Sequence, residues 1–171
     1  MFEILDSNED KPLPKRVNSP TIVIREPGIE HDKRPIAIEF KNVWFRYPTR
    51  PHEWVLQDFS LKVYEDESIG LVGQSGCGKS TLTQLLLRFY DPEDGQIFIN
   101  GIDILDYNLP ELRSMMGFVM QEPALLNCSI KDNILVGNNF ARNSDIFKAT
   151  QMSNALEFIW TFSSPQTLFE K

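Results

Sequence analysis

Eight consecutive residues constrain this chain more than any others: Gly73-Gln74-Ser75-Gly76-Cys77-Gly78-Lys79-Ser80. They satisfy the phosphate-binding pattern G-x-x-x-x-G-K-[ST] at every fixed position. Phosphate oxygens need donors at close range, and only backbone free of bulky side chains comes that close. Gly73, Gly76 and Gly78 permit this approach and the left-handed backbone of an anion nest. Lys79 supplies a point charge for the terminal phosphates, and the Ser80 hydroxyl is placed to ligand Mg²⁺. The flanks agree. Residues 68–72 read as a short apolar strand of the buried kind, and Leu82, Leu85, Leu86 and Phe89 fall at i, i+3, i+4 and i+7, one face of a helix. Strand, glycine loop and helix in that order aim a helix N-terminus at the anion. A dinucleotide-binding G-x-G-x-x-G does not fit these glycines and leaves Lys79 and Ser80 without a role.

Composition narrows the class. The chain has 171 residues, one domain's worth, with 42% hydrophobic and 24% charged residues, as in soluble globular proteins. A net charge of −7 argues against unspecific nucleic-acid binding and is silent on a nucleotide held by local geometry. The two cysteines, Cys77 and Cys128, form neither a disulfide framework nor a zinc site, so a reducing compartment is the default. No apolar run approaches the roughly 18–20 residues that span a bilayer, and the acidic start Met1-Phe2-Glu3-Ile4-Leu5-Asp6 does not resemble a signal peptide.

Along the chain, residues 1–34 are polar and interrupted by Pro12, Pro14, Pro20 and Pro27, which reads as a linker with a short helical piece at residues 2–5. Alternation over 36–41 and over 59–63 marks two half-buried strands, with an aromatic strand over 43–47 between them, ending in a proline-bounded loop. Residues 91–95 read as a turn and 96–101 as a strand ending in a hairpin-type Asn100-Gly101. A helix is expected over 109–116 with Asn108 as cap and Pro110 in its first turn, then a short strand over 117–120. Ser129-Ile130-Lys131-Asp132 fits a capping box, and Ile146, Ala149, Met152, Leu156 and Ile159 mark one last amphipathic helix.

With these segments in hand, the chain resembles the nucleotide-binding domain of ABC transporters, and most of all the multidrug-resistance-type exporters. The resemblance extends beyond the glycine loop. Phe45-Arg46-Tyr47-Pro48-Thr49-Arg50-Pro51, with Tyr47 lying 26 residues before Gly73, is similar to the A-loop of that family. Residues 91–101 resemble its antiparallel strand region, Val119-Met120-Gln121-Glu122-Pro123 its Q-loop, and Ile130-Lys131-Asp132-Asn133-Ile134 the segment that follows. Phe2-Glu3-Ile4-Leu5-Asp6 resembles the tail that joins the last transmembrane helix to the domain. The resemblance implies an α/β fold of the P-loop NTPase, ABC-type ATPase kind, with an antiparallel β subdomain and incomplete at the C-terminus. Residues 1–34 are then the linker from a transmembrane domain and 35–171 a partial nucleotide-binding domain.

The same resemblance implies roles and ligands, ATP and Mg²⁺. Tyr47 holds the adenine face, a stacking contact of about 1 kcal/mol beyond area burial; the bland alternative is a core aromatic beside Trp44 and Phe45. The backbone of Gly73, Gln74, Ser75, Gly76, Cys77, Gly78, Lys79 and Ser80 wraps the phosphates, and Thr81 adds a phosphate contact. Gln121 reaches Mg²⁺ and the attacking water and signals to the membrane domain. The partners implied are a transmembrane domain and a second nucleotide-binding domain, at the cytosolic face of a membrane. Independently of family, Cys77 stands beside a helix N-terminus and a lysine, both of which favour the thiolate, so it is a candidate reactive thiol that ATP should protect. Cys128, His31 and His52 have no comparable context.

The family pattern thins after Gln121. It expects an LSGGQ-type signature, an apolar strand ending in Asp-Glu and a switch histidine, and none of these occurs in the sequence. Since phosphoryl transfer depends on positioning and electrostatics, their absence is expected to remove most of the turnover by this chain alone. It is also expected to leave an unpaired sheet edge and a poorly stable isolated chain. The leading reading is therefore the ATP-binding part of an exporter whose family activity is ATP hydrolysis coupled to transport. The competing reading is a non-catalytic ATP-binding or interaction module. A soluble GTPase or small-molecule kinase fits less well, because no Asn-Lys-x-Asp base-reading motif is present.

Overall fold

This computed structural model describes residues 22–25, 34–122 and 124–162, in two compact units, Met1–Gly117 and Phe118–Lys171. The first unit is built around a four-stranded antiparallel sheet in the order β3-β2-β5-β6, formed by β2 (Ile36–Phe45), β3 (Leu56–Tyr64), β5 (Asp94–Ile99) and β6 (Ile102–Asp103). Its strands alternate as half-buried strands should, and their inward residues Phe40, Val43, Phe45, Leu56, Leu61, Ile97 and Ile99 form one core. Into that core α1 (Lys79–Leu86) inserts Leu82 and Leu85, and α2 (Leu109–Ser114) inserts Leu112. Full burial of a leucine such as Leu85 contributes about 1.5–3 kcal/mol.

Where sequence periodicity suggested two strands at 36–41 and 43–47, the structure has one continuous β2 with an irregularity between Phe40 and Val43. Asn42 sits there at φ 49°, its backbone N–H donating to the Ser60 hydroxyl at 2.9 Å and its side-chain amide to Asp58 at 2.7 Å. Side chains thus take over the ladder bonds that the bulge interrupts. On the other flank β5 passes so near that a Cβ on Gly95 would lie 2.3 Å from the Asn42 carbonyl oxygen. The Asn100-Gly101 turn forms as expected, both residues at positive φ, and returns the chain into β6.

Helix α1 stops at Leu86, one turn before its apolar stripe ends. Arg88 adopts φ 49°, its N–H bonding to the Leu85 carbonyl and that of Phe89 to the Gln84 carbonyl. This is a Schellman closure with arginine at the left-handed position. The Arg88 guanidinium donates to the carbonyls of Ile104 and Tyr107, both at 3.0 Å, which holds the strained residue in place. Phe89 consequently leaves the helix face and is 57% exposed, with Arg113 over its ring. The cap of α2 is as expected: Asn108 Oδ1 accepts from the Glu111 N–H at 2.9 Å.

A separate two-stranded sheet pairs β4 (Ile69–Val72) antiparallel with β1 (Ile22–Arg25), a strand inside the segment whose prolines read as linker. Among the described residues β4 has no other partner, so it is not the buried strand expected: Ile69 and Leu71 are half-buried while Val72 is 46% exposed. The helical piece expected at 2–5 lies outside the described residues.

The second unit is helical: α3 (Ile130–Leu135), α4 (Asn143–Met152) and α5 (Leu156–Phe162). Ser129 caps α3, its hydroxyl accepting from the Asp132 N–H at 3.0 Å. The single last helix expected over 146–159 is two helices. Asn154 at φ 54° breaks it, with the N–H of Asn154 on the Gln151 carbonyl and that of Ala155 on the Thr150 carbonyl, a second Schellman closure. The strand expected at 117–120 is absent; Val119 is 93% exposed, and no described strand of this unit offers it a ladder.

Candidate nucleotide site

The glycine loop runs from the end of β4 into α1. Gly78 is the N-cap of the helix at φ 94°, ψ 6°, and supplies no side-chain cap. The first turn holds no acidic residue either. Backbone N–H groups of a first turn have no intrahelical acceptor, so the helix opens onto the loop as an anion-seeking end. Gly78 is also packed against the core: a Cβ there would meet Leu56 Cδ2 at 3.0 Å and Val55 Cγ1 at 3.2 Å. Gly76, at φ 84°, has open space around it. The N–H of Cys77 closes a turn on the Gln74 carbonyl at 3.3 Å.

Lys79 curls back over this loop. Its ammonium donates to the carbonyls of Gly73 and Gln74, each at 2.8 Å, and stands 3.5 Å from the Cys77 sulfur. Ser75 and Ser80 are exposed, and Cys77 is half-buried. The ammonium thus lies against the backbone of Gly73 and Gln74, beside the turn that Cys77 closes.

Tyr47 is tied to the same helix. Its phenol donates to Gln84 Oε1 at 2.7 Å and lies 2.9 Å from the hydroxyl of Thr81, which is 4% exposed. The ring stands edge-on to Phe45 at 5.1 Å and to Tyr90 at 5.3 Å. Tyr47 is therefore both a rim of the core and an aromatic ring anchored to α1. Thr81, expected at the phosphates, turns its hydroxyl to Tyr47. Local periodicity missed Gln84 and Tyr90; the one sequence signal for Gln84 is its i, i+3 relation to Thr81. Tyr47 and Tyr90 also line a cleft of about 330 Å³ that includes no residue of the loop.

Gln121 belongs to the second unit, where it and Glu122 are exposed in a bend; Pro123 lies outside the described residues. No group of three or more His, Cys, Asp or Glu side chains among the described residues forms a metal cage.

Residues 56–166, well over half of the chain, match the family described as ABC transporter. The chain belongs to the ABC transporter family. Relatives in that family include ABC transporter B family member 21 of Arabidopsis thaliana, 47% identical over 122 residues, which are 71% of this chain and 9% of that protein. Multidrug resistance protein pgp-1 of Caenorhabditis elegans is 45% identical over 124 residues, 72% of this chain and 9% of its own length. The ATP-dependent permease MDL1 of Candida albicans is 48% identical over 122 residues, 71% of this chain and 18% of the permease. Among solved structures, a bacterial Atm1-family ABC exporter with ATP bound matches with a TM-score of 0.65 at 34% identity, covering 78% of this chain and 23% of the exporter. This ABC transporter chain has the P-loop NTPase fold of the family with its antiparallel β subdomain. It spans only a small share of its relatives' length. No helix among the described residues is long and apolar enough to cross a membrane.

Proposed function

We propose that this chain is the ATP-binding portion of an ABC exporter, at the cytosolic face of a membrane, in which ATP hydrolysis drives transmembrane transport. Residues 1–34 lead in from a transmembrane domain and contribute β1 to the pairing with β4, and residues 35–171 belong to a nucleotide-binding domain that pairs with a second one. The observation that carries this reading is the mounting of Tyr47 and the glycine loop on one helix, α1. An aromatic ring for the base and a nest for the phosphates then share one frame. The related exporter structure has ATP bound, which supports the same ligand here.

The roles follow from the chemistry at each position. The N–H groups from Gln74 to Thr81 donate to phosphate oxygens. Lys79 exchanges the Gly73 and Gln74 carbonyls for phosphate oxygens, trading dipoles for full charges. Tyr47 stacks on adenine. The donor set suits Mg²⁺, which is held through one or two protein oxygens plus substrate phosphates rather than in an all-protein cage. Exposed Ser80 would be its protein ligand at the loop, and the ion would neutralise charge on the phosphates.

The test is ATP binding to the whole chain by calorimetry, with and without Mg²⁺, and phosphate release assayed on the same sample. Wild type binds and Lys79→Ala loses at least tenfold in affinity, whereas equal affinity of the two overturns the reading. Lys79-dependent phosphate release by this chain would make it an ATPase in its own right, and binding without release would make it the binding portion alone.

A further inference from the structure

We propose that Gln84 is a positioning residue for base recognition: together with the Thr81 hydroxyl it holds the Tyr47 phenol, so that the aromatic platform is set before nucleotide arrives. This rests on the reading of Tyr47 as the adenine platform. Tyr47 follows the end of β2, in a segment that continues through turns to β3. Among the described residues its backbone makes one local bond, from the Arg50 N–H to the Tyr47 carbonyl at 2.8 Å. Such a bond leaves the side chain free to choose among staggered rotamers. What selects one rotamer is the far end of the ring, anchored 37 residues away on α1.

The proton inventory makes the arrangement directional. A phenol has one proton and donates it once. That proton goes to Gln84 Oε1 at 2.7 Å, so across the 2.9 Å contact it is the Thr81 hydroxyl that donates to the phenol oxygen. The chain of donors runs Thr81 to Tyr47 to Gln84, and the last acceptor orders the other two. Thr81 is 4% exposed, so water does not readily substitute for its hydroxyl, while Gln84 is half-buried. Phe45 and Tyr90 confine the ring from the side, at 5.1 and 5.3 Å. Removing the final acceptor leaves these contacts in place and leaves the phenol a single partner, the Thr81 hydroxyl, to which it then donates, so its end is held at one point instead of two. The cost should then appear in base binding, as ordering that the ring must undergo when the nucleotide arrives.

The experiment compares the affinity of the whole chain for Mg-ATP and for magnesium with inorganic tripolyphosphate, which engages the loop and has no base. Gln84→Met keeps the length and packing of the side chain and removes the acceptor. It is expected to weaken ATP by about three- to tenfold and to leave tripolyphosphate unchanged. In a Tyr47→Phe background, where the phenol is already gone, it should add nothing. Gln84→Glu retains an acceptor oxygen and should restore the ratio of ATP to tripolyphosphate affinity; the ratio cancels any effect of the added charge common to both ligands. An unchanged ratio in Gln84→Met, or a Gln84→Glu ratio as low as that of Gln84→Met, overturns the proposal. Tyr47→Ala separates the two levels. If it leaves the ratio unchanged, the adenine platform itself is wrong; if it lowers the ratio while Gln84→Met does not, only the role of Gln84 fails.

Discussion

Alanine at Gly78 and at Gly76 should have very different consequences, although both glycines lie in the same loop at positive φ. At Gly78 the backbone is at φ 94°, and an added Cβ would lie 3.0 Å from Leu56 Cδ2 and 3.2 Å from Val55 Cγ1. The left-handed conformation costs an L-residue about 1–2 kcal/mol. Leu56 is fully buried, at 0% exposure, so it cannot simply swing aside, and overpacking adds about 1–3 kcal/mol. Gly78→Ala should therefore lose about 2–5 kcal/mol. Gly76 has a similar φ of 84° but nothing within 4 Å of the added carbon, so Gly76→Ala should lose only the conformational term, about 1–2 kcal/mol. Equilibrium urea unfolding of the two variants and wild type measures the difference. At an m-value of about 1–3 kcal/mol per M, the midpoints of the two variants should lie roughly 1 M apart, with Gly78→Ala the lower. Equal midpoints, or a lower one for Gly76→Ala, would refute the claim that Gly78 is a packing position as well as a loop glycine.

Leu85→Ala empties a site of 0% exposure between α1 and the sheet and should cost about 2–5 kcal/mol in the same urea titration. Asn108→Ala removes the side-chain oxygen that accepts the Glu111 N–H and should cost about 1 kcal/mol, read as a small drop in thermal midpoint with no effect on ATP affinity. Cys77, half-buried in the loop beside Lys79, should be protected from alkylation by Mg-ATP, while exposed Cys128 labels at the same rate with or without it; parallel rates for both thiols would contradict the placement of ATP at the loop.

What the sequence disclosed and what it hid follow from the range of the interactions. The Asn100-Gly101 turn rests on two adjacent residues at positive φ, and the Asn108 cap on α2 and the Ser129 cap on α3 on a side chain meeting backbone within three residues; local pattern finds all three. The glycine loop is local too. The early end of α1 at Arg88 was hidden, because the left-handed arginine is held by the carbonyls of Ile104 and Tyr107, 16 and 19 residues on. The bulge at Asn42 depends on Asp58 and Ser60 across the sheet, so alternation alone split β2 in two. Strand β1 needed β4 as a partner to be a strand at all, and prolines in its surroundings masked its short apolar run. At the site, Tyr47 was singled out by the resemblance of its aromatic, proline-bounded segment to the family's A-loop, whereas its anchor Gln84 stands 37 residues later and looks like any polar helix residue.

Since the phenol of Tyr47 is fastened to Thr81 and Gln84 while Lys79 and Ser80 begin the same helix, α1 works as a ruler. An α-helix advances about 1.5 Å per residue, so Lys79 and Gln84 are held about 7–8 Å apart along its axis. Neither end can drift without carrying the other. With ATP placed as proposed, such a gauge fixes the span from the base to the inner phosphates cradled by the loop, so a ligand that keeps that span keeps both ends.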